Sequence, residues 1–314
     1  MTSVLPRAAG LRLPYQQLPA HVRRWVESAL GAPVVQATTQ AGGMSPGCAA
    51  RLVLADGRRA FVKAVGDALN PVTPSLFRHE IEVLSHLGRV EYRPAVLDSY
   101  DDGRWVGLLF EDVEGTYPDL RLDSVADAVW EAVATQSREL TPAPTGLDIP
   151  TLVDQADRWN ELGWVPLMSN PGAYLPAALA GKADQLAERV GAVGNRVDVS
   201  SLCNWDIRND NLLQRPDGSI VIVDWGMARL GPGWGDLLAL SLEWAETPVF
   251  DDRMAAVVDA DPAVVTDLLL GLGGMLAYRA TLPAPVGLPS LNEFRRTESA
   301  RFLAAATRRL EAGL

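Results

Sequence analysis

The chain has 314 residues, with 28 Lys and Arg against 39 Asp and Glu and a net charge of -11. That length allows two lobes with separate cores, and the acidity disfavours a surface for the phosphate backbone, so no nucleic-acid partner is expected. Two cysteines (Cys48, Cys203) and three histidines (His21, His79, His86) exclude a disulfide framework and argue against a zinc knuckle or histidine-based catalysis.

In chain order, MTSVLPRAAGLRLP lacks the continuous apolar run of a signal peptide. Residues 20–30 read as a short amphipathic helix. From Val34 to Val65, short β-runs are split first by Gly42-Gly43-Met44-Ser45-Pro46-Gly47 and then by Asp56-Gly57, a hairpin signal. A helix is expected over 74–87, then strands over 95–100 and 105–110, before Glu111-Asp112-Val113-Glu114-Gly115 breaks the pattern. Downstream, helices are expected over 119–139, 151–162, 173–192, 234–247, 261–280 and 290–312, with a β-rich island at 211–224. The apolar stretch Val264 to Tyr278 is interrupted by Asp267 and too short to span a bilayer. No membrane association and a cytoplasmic location are therefore expected. The fold class that follows is α+β and bilobal: a small antiparallel β N-lobe with one key helix over residues 1–113, and a larger helical C-lobe over 114–314.

Chemistry concentrates in residues 202–226, LCNWDIRNDNLLQRPDGSIVIVDWG. Phosphoryl transfer asks a protein for a carboxylate that orients the attacking hydroxyl and for oxygen ligands that hold Mg²⁺ on the donor phosphates. Asp206 suits the first task. Asn211 and Asp224 suit the second, because the Asp217-Gly218 turn brings them to one end of a hairpin and Mg²⁺ is a hard cation. Arg208 is a candidate charge clamp on the moving phosphoryl group.

Only two lysines occur, Lys63 and Lys182. Lys63 lies in a strand pattern, Phe61-Val62-Lys63-Ala64-Val65, where an isolated buried ammonium is costly. On the helix 74–87, Leu76, Phe77, Ile81, Val83, Leu84 and Leu87 form an apolar stripe, Glu80 falls near its centre and Glu82 opposite. A Lys63–Glu80 ion pair is predicted, with Lys63 also touching nucleotide phosphates. The glycine run is a candidate phosphate cradle through Gly43 and Ser45. Backbone groups of Glu111 and Val113 are candidates for the purine edge. Gly43-Met44-Ser45-Pro46-Gly47 also matches the nucleophile-elbow pattern. However, no helix pattern follows it and no histidine occurs after His86, which argues against a hydrolase.

In AGGMSPG, FVKAV, FRHEIEVLSHL, LLFEDVEG, NWDIRNDNLL, VDWG and GPGWGDLLAL, over most of residues 34–245, the chain resembles the aminoglycoside phosphotransferase family of the protein-kinase-like fold. The resemblance implies Asp206 as catalytic aspartate, Asn211 and Asp224 as Mg²⁺ ligands, Lys63 with Glu80 as phosphate anchor and Asp236 as a brace for the catalytic loop. It implies ATP or GTP as donor and a small hydroxylated acceptor, an antibiotic or alternatively a sugar or amino alcohol; a silent nucleotide-binding protein is the remaining alternative. Asn204 stands where the family usually has histidine, and is expected to replace its hydrogen bonds. Asp154, Asp157, Glu243 and Glu246 are acidic candidates for substrate contact.

Overall fold

Turn chemistry shapes the first half of the molecule. In the computed structural model, which describes residues 10–314, Gly57 adopts φ +85° and closes the Asp56-Gly57 turn, where Leu54 N–H donates to the Arg58 carbonyl at 2.9 Å. A residue without Cβ takes that backbone at little cost. The elements are α1 (Ala20–Leu30), β1 (Val34–Thr39), β2 (Cys48–Leu54), β3 (Arg59–Gly66), α2 (Thr73–Ser85), β4 (Val96–Asp101), β5 (Trp105–Glu111), α3 (Asp123–Glu139), α4 (Leu152–Trp159), α5 (Val165–Leu167), α6 (Ala177–Ala180), α7 (Ala183–Ala192), β6 (Ser201–Cys203), β7 (Leu212–Gln214), β8 (Ile220–Ile222), β9 (Arg229–Gly231), α8 (Gly235–Ser241), α9 (Val249–Ala255), α10 (Pro262–Arg279) and α11 (Leu291–Glu311).

Packing divides the chain into two units. The first holds the described chain through Ala132 together with Asn209–Ala228 and Pro285–Ser290; the second holds Val133–Arg208, Arg229–Ala284 and Leu291–Leu314. A linear cut after residue 113 follows the chain rather than this packing. The β7–β8 hairpin returns to the first unit: Thr116 and Gln214 exchange N–H···O bonds of 3.0 and 2.7 Å, and Ile222 N–H donates to the Tyr92 carbonyl at 2.7 Å.

The first unit is built on an antiparallel sheet in the order β1-β2-β3-β5-β4. Strand alternation sends Ala60, Val62 and Ala64 into a core with Val22, Val26 and Leu30 of α1. The intervening Phe61 and Lys63 therefore occupy the opposite face of the sheet, and α2 packs on β3 and β5.

The second unit is helical around Trp159, Trp164, Phe250, Leu268 and Phe302. Asp261 caps α10, accepting from Ala263 N–H at 2.8 Å. The Asp267 that interrupts the apolar stretch is buried and paired with Arg189 at 2.6 Å and with Arg196, as a buried carboxylate requires. The helix expected over 173–192 is broken into α6 and α7. Pro176 holds an extended conformation and disfavours helix at the residue before it. Helix α4 runs on through a π-helical turn, Asn160–Trp164. Strands β6 and β9, three residues each, and helix α9 had no expectation; three residues are too few to show a period. Among the described residues no helix is long and apolar enough to cross a membrane.

Candidate functional site

Lys63 is held on β3 between two carboxylates. Its Nζ donates to Glu80 Oε2 at 2.7 Å and to Asp224 Oδ1 at 3.1 Å and lies 5.0 Å from the Phe77 ring centroid. Glu80 is 1% exposed, and its second oxygen accepts from Trp225 N–H at 3.1 Å. Helix α2 buries Phe77, Val83 and Leu84 around it, so the carboxylate in mid-stripe is the half of an ion pair that the stripe required. Burial disfavours the Lys63 ammonium, but Asp224 and Glu80 outweigh it and raise its pKa above the ordinary lysine value. Burial also raises the Glu80 carboxyl, with Lys63 opposing.

The hairpin supplies the neighbouring oxygen groups. Val223 N–H donates to the Asn211 carbonyl at 3.0 Å, just beyond the Leu212↔Ile222 pair. Asp224 then takes φ +63°, a left-handed conformation unusual outside glycine and concentrated at functional sites. The other wall is the glycine run, where Gly47 has φ +124° and an added Cβ would meet the Ala64 carbonyl oxygen at 2.5 Å.

One cavity in the first unit is lined by Gly43, Ser45, Lys63, Glu80, Glu111, Val113, Asn211 and Asp224, so eight of the candidate residues meet there. At the connector, the Val113 carbonyl is occupied by Arg51 Nη2 at 2.6 Å, and Glu111 pairs with Arg89 at 3.2 Å. Arg12, for which no expectation was made, also lines the cavity. It stands in an arginine-containing segment, GLRLP, without a pattern to mark it. Among the described residues no group of three or more His, Cys, Asp or Glu side chains could hold a metal. One carboxylate and one amide on a cavity wall instead fit an Mg²⁺ that takes its remaining ligands from phosphates and water.

Asp206 and Arg208 belong to the second unit, on the loop after β6. Arg208 Nη1 lies 3.4 Å from Asp206 Oδ1, and its guanidinium is 5.7 Å from the Phe294 ring centroid. Asp236, at the start of α8, orders this loop. Its Oδ2 accepts from Asn204 N–H at 3.0 Å and from Gln136 Nε2 at 2.8 Å, and its Oδ1 accepts from Trp205 N–H at 2.8 Å. Burial pushes the Asp236 carboxyl up, and these three donors pull it down. The Asn204 side chain in turn accepts from Asp206 N–H at 3.0 Å. Trp205 has φ +61° and stacks 6.3 Å from Trp159. Among the acidic candidates, Asp154 forms the capping box of α4 with Thr151, and Glu246 pairs with Arg301 at 3.3 Å.

No family model matches the chain, and no curated protein matches it in sequence. Solved structures do match. A thermostable mutant of the aminoglycoside phosphotransferase APH(4)-Ia, in ternary complex with ADP and hygromycin B, gives a TM-score of 0.59 at 14% identity, covering 94% of this chain and 99% of that one. Choline kinase LicA from Streptococcus pneumoniae gives 0.56 at 14% identity, covering 91% and 99%. The phosphotransferase APH(3'')-Id from Streptomyces rimosus, in complex with ADP and streptomycin, gives 0.52 at 19% identity, covering 82% and 99%. The chain thus has the α+β fold of aminoglycoside phosphotransferases and choline kinase, with a five-stranded antiparallel sheet and a helical lobe.

Proposed function

We propose that the protein is a phosphotransferase that moves the γ-phosphoryl group of a nucleotide triphosphate to a hydroxyl of a small molecule. The observation that carries this reading is Lys63 Nζ, held between Glu80 and Asp224 on the wall of a cavity that Asn211, Gly43 and Ser45 share. An ammonium so fixed is a point charge for phosphate oxygens. Mg²⁺, held by Asn211 and Asp224, would neutralise phosphate charge. Glu111 and Val113 meet the purine edge, and since Arg51 takes the Val113 carbonyl, the contact there falls to the amide N–H. Asp206 accepts the acceptor hydroxyl's proton as the phosphoryl group transfers, and Arg208 steadies the charge that develops. Asn204, through its bond to Asp206 N–H, does for the loop what the expected histidine would.

An aminoglycoside-like antibiotic is the first reading of the acceptor, supported by fold neighbours solved with hygromycin B and streptomycin. The choline kinase neighbour favours an amino alcohol as second reading, with the same mechanism. Both ligand classes are cationic, which the net charge of -11 accommodates. The test is incubation with Mg²⁺ and ATP or GTP across aminoglycosides, macrolides, sugars and amino alcohols, read by mass spectrometry for one added phosphoryl group. Transfer by the wild type, its loss in Asp206→Asn and retained nucleotide binding in that variant are expected. Nucleotide binding without transfer to any acceptor would leave a silent binder, and absence of nucleotide binding would overturn the reading.

A further inference from the structure

Arg12 sits on the cavity wall in a setting that the loop alone does not explain. Its Nη1 donates to the Ser45 carbonyl and its Nη2 to the Gly42 carbonyl and, at 3.0 Å, to the Gly43 carbonyl. Gly43 is glycine for a reason visible here: its φ of +87° is a backbone conformation that L side chains rarely adopt. The segment before α1 is tied down beside it, since Gly10 N–H donates to the Gly43 carbonyl and Gly47 N–H to the Leu11 carbonyl, both at 3.0 Å.

The charge on this guanidinium is poorly compensated. Among the described residues its hydrogen-bond partners are carbonyl oxygens, and its buried Nε–H has no partner. A guanidinium has five N–H donors; three carbonyl bonds and the buried Nε–H leave one, on Nη1. Burial lowers its pKa, while the charge of Asp224 raises it, which puts Arg12 in electrostatic reach of the proposed metal ligand. Within a planar peptide, N–H and C=O point in opposite directions. The N–H groups of Gly43 and Met44, which follow carbonyls bound to Arg12, are therefore turned away from it.

We propose that Arg12 is a phosphate-binding residue of the nucleotide site, supplied by the segment preceding α1, which ties the glycine run to the polyphosphate through one guanidinium. This rests on the reading of the cavity as a nucleotide site. A fixed cation with a donor to spare, lining the same cavity as Lys63, suits the two or three phosphates of a nucleoside di- or triphosphate, since charge-assisted bonds to phosphate are the strong ones.

The test compares the dissociation constants of ATP, ADP and adenosine, with Mg²⁺ present, for the wild type, Arg12→Lys and Arg12→Gln. Glutamine keeps a donor for the loop carbonyls and removes the charge; lysine keeps the charge and cannot span three carbonyls. Arg12→Gln should weaken ATP about tenfold or more and ADP less, with adenosine unchanged, and Arg12→Lys should keep most of the ATP affinity. If Arg12 only holds the loop's shape, Arg12→Lys will lose ATP affinity as Arg12→Gln does, and the inference falls. If Arg12→Gln tightens ATP, the guanidinium is a plug and the inference also falls. A wild type that binds neither ATP nor adenosine removes the nucleotide reading first, and this inference with it.

Discussion

Two carboxylates, one in each unit, are buried to the same depth and answered in different ways. Glu80 and Asp236 are each 1% exposed. Glu80 meets an ammonium at 2.7 Å and one backbone N–H at 3.1 Å. Among the described residues Asp236 meets no cation in its hydrogen bonds, only two backbone N–H groups and a side-chain amide. The first arrangement fixes a charge that faces a cavity. The second fixes the path of a backbone, the loop that carries Asp206. On the proposed function the ion pair serves a site for phosphate, whereas the carboxylate answered by neutral donors serves as a scaffold.

That contrast is open to breakage. Lys63→Met leaves Glu80 buried without its cation and should cost about 3–5 kcal/mol, read by chemical denaturation. The double variant Lys63→Met/Glu80→Leu should recover most of that loss, because apolar residues of similar volume often replace a buried pair at little net cost. Neither variant should bind ATP with wild-type affinity. A double variant as unstable as the single one would show that the pair does more for the fold than cancel itself. Asp236→Ala should cost a comparable amount, about 1–3 kcal/mol for each donor left without a partner, but its signature should differ: a fall in transfer rate with ATP affinity unchanged. Equal loss of ATP affinity in both variants would erase the distinction drawn here.

The units also differ in how they treat a buried thiol. Burial raises Cys48 to about 12, with Arg12 pulling it down. Burial raises Cys203 as well, and there Asp236 pushes further in the same direction. A thiol whose pKa is raised by folding stabilises the protein fully below its unfolded value, because both states then hold the proton. Above that value the unfolded chain loses its proton first, so stability falls with rising pH. For Cys48 the window runs from the ordinary thiol value of 9.0 to about 12. At one pH unit above the unfolded value the loss is about 1.4 kcal/mol for one such thiol. Cys48→Ala should flatten that part of the denaturation-versus-pH curve. An unchanged slope would mean that the thiol does not titrate in this range.

The difference between Glu80 and Asp236 also explains what was legible in the chain. Glu80 announced itself, because a carboxylate in the middle of an apolar helical stripe violates the pattern unless a cation answers it, and Lys63 stood among apolar residues in the strand pattern Phe61-Val62-Lys63-Ala64-Val65. The β7–β8 hairpin was equally open, through Asp217-Gly218 between β-formers; Gly218 has φ +89°. Asp236 carried no such signal of its own, since an aspartate at a helix start is ordinary. Its bracing role came from the family resemblance. Arg12 was invisible: one arginine in a chain rich in them, whose partners are carbonyl oxygens 30 to 33 residues away and specified by no side chain. The broken helix over 173–192 was marked by Pro176, whose effect the surrounding helix-forming residues hid.

The smallest expected effect tests how finely the brace is set. Gln136 gives Asp236 one hydrogen bond through Nε2, while its own Oε1 is buried without a partner. The bond contributes about 1 kcal/mol, and the orphaned oxygen costs energy of similar size in the opposite direction. Gln136→Leu removes both at nearly constant volume, so unfolding free energy should change by less than about 1 kcal/mol. Asp236 keeps both backbone donors in this variant, so the loop keeps its path and the transfer rate should fall only a few-fold. Gln136→Glu instead faces Asp236 with a second carboxyl group, and like charges disfavour ionisation. Transfer in that variant should fall as pH rises and recover as pH is lowered. A pH profile identical to that of the wild type would show that this pair does not feel the added charge, and that the backbone donors alone hold Asp236 in place.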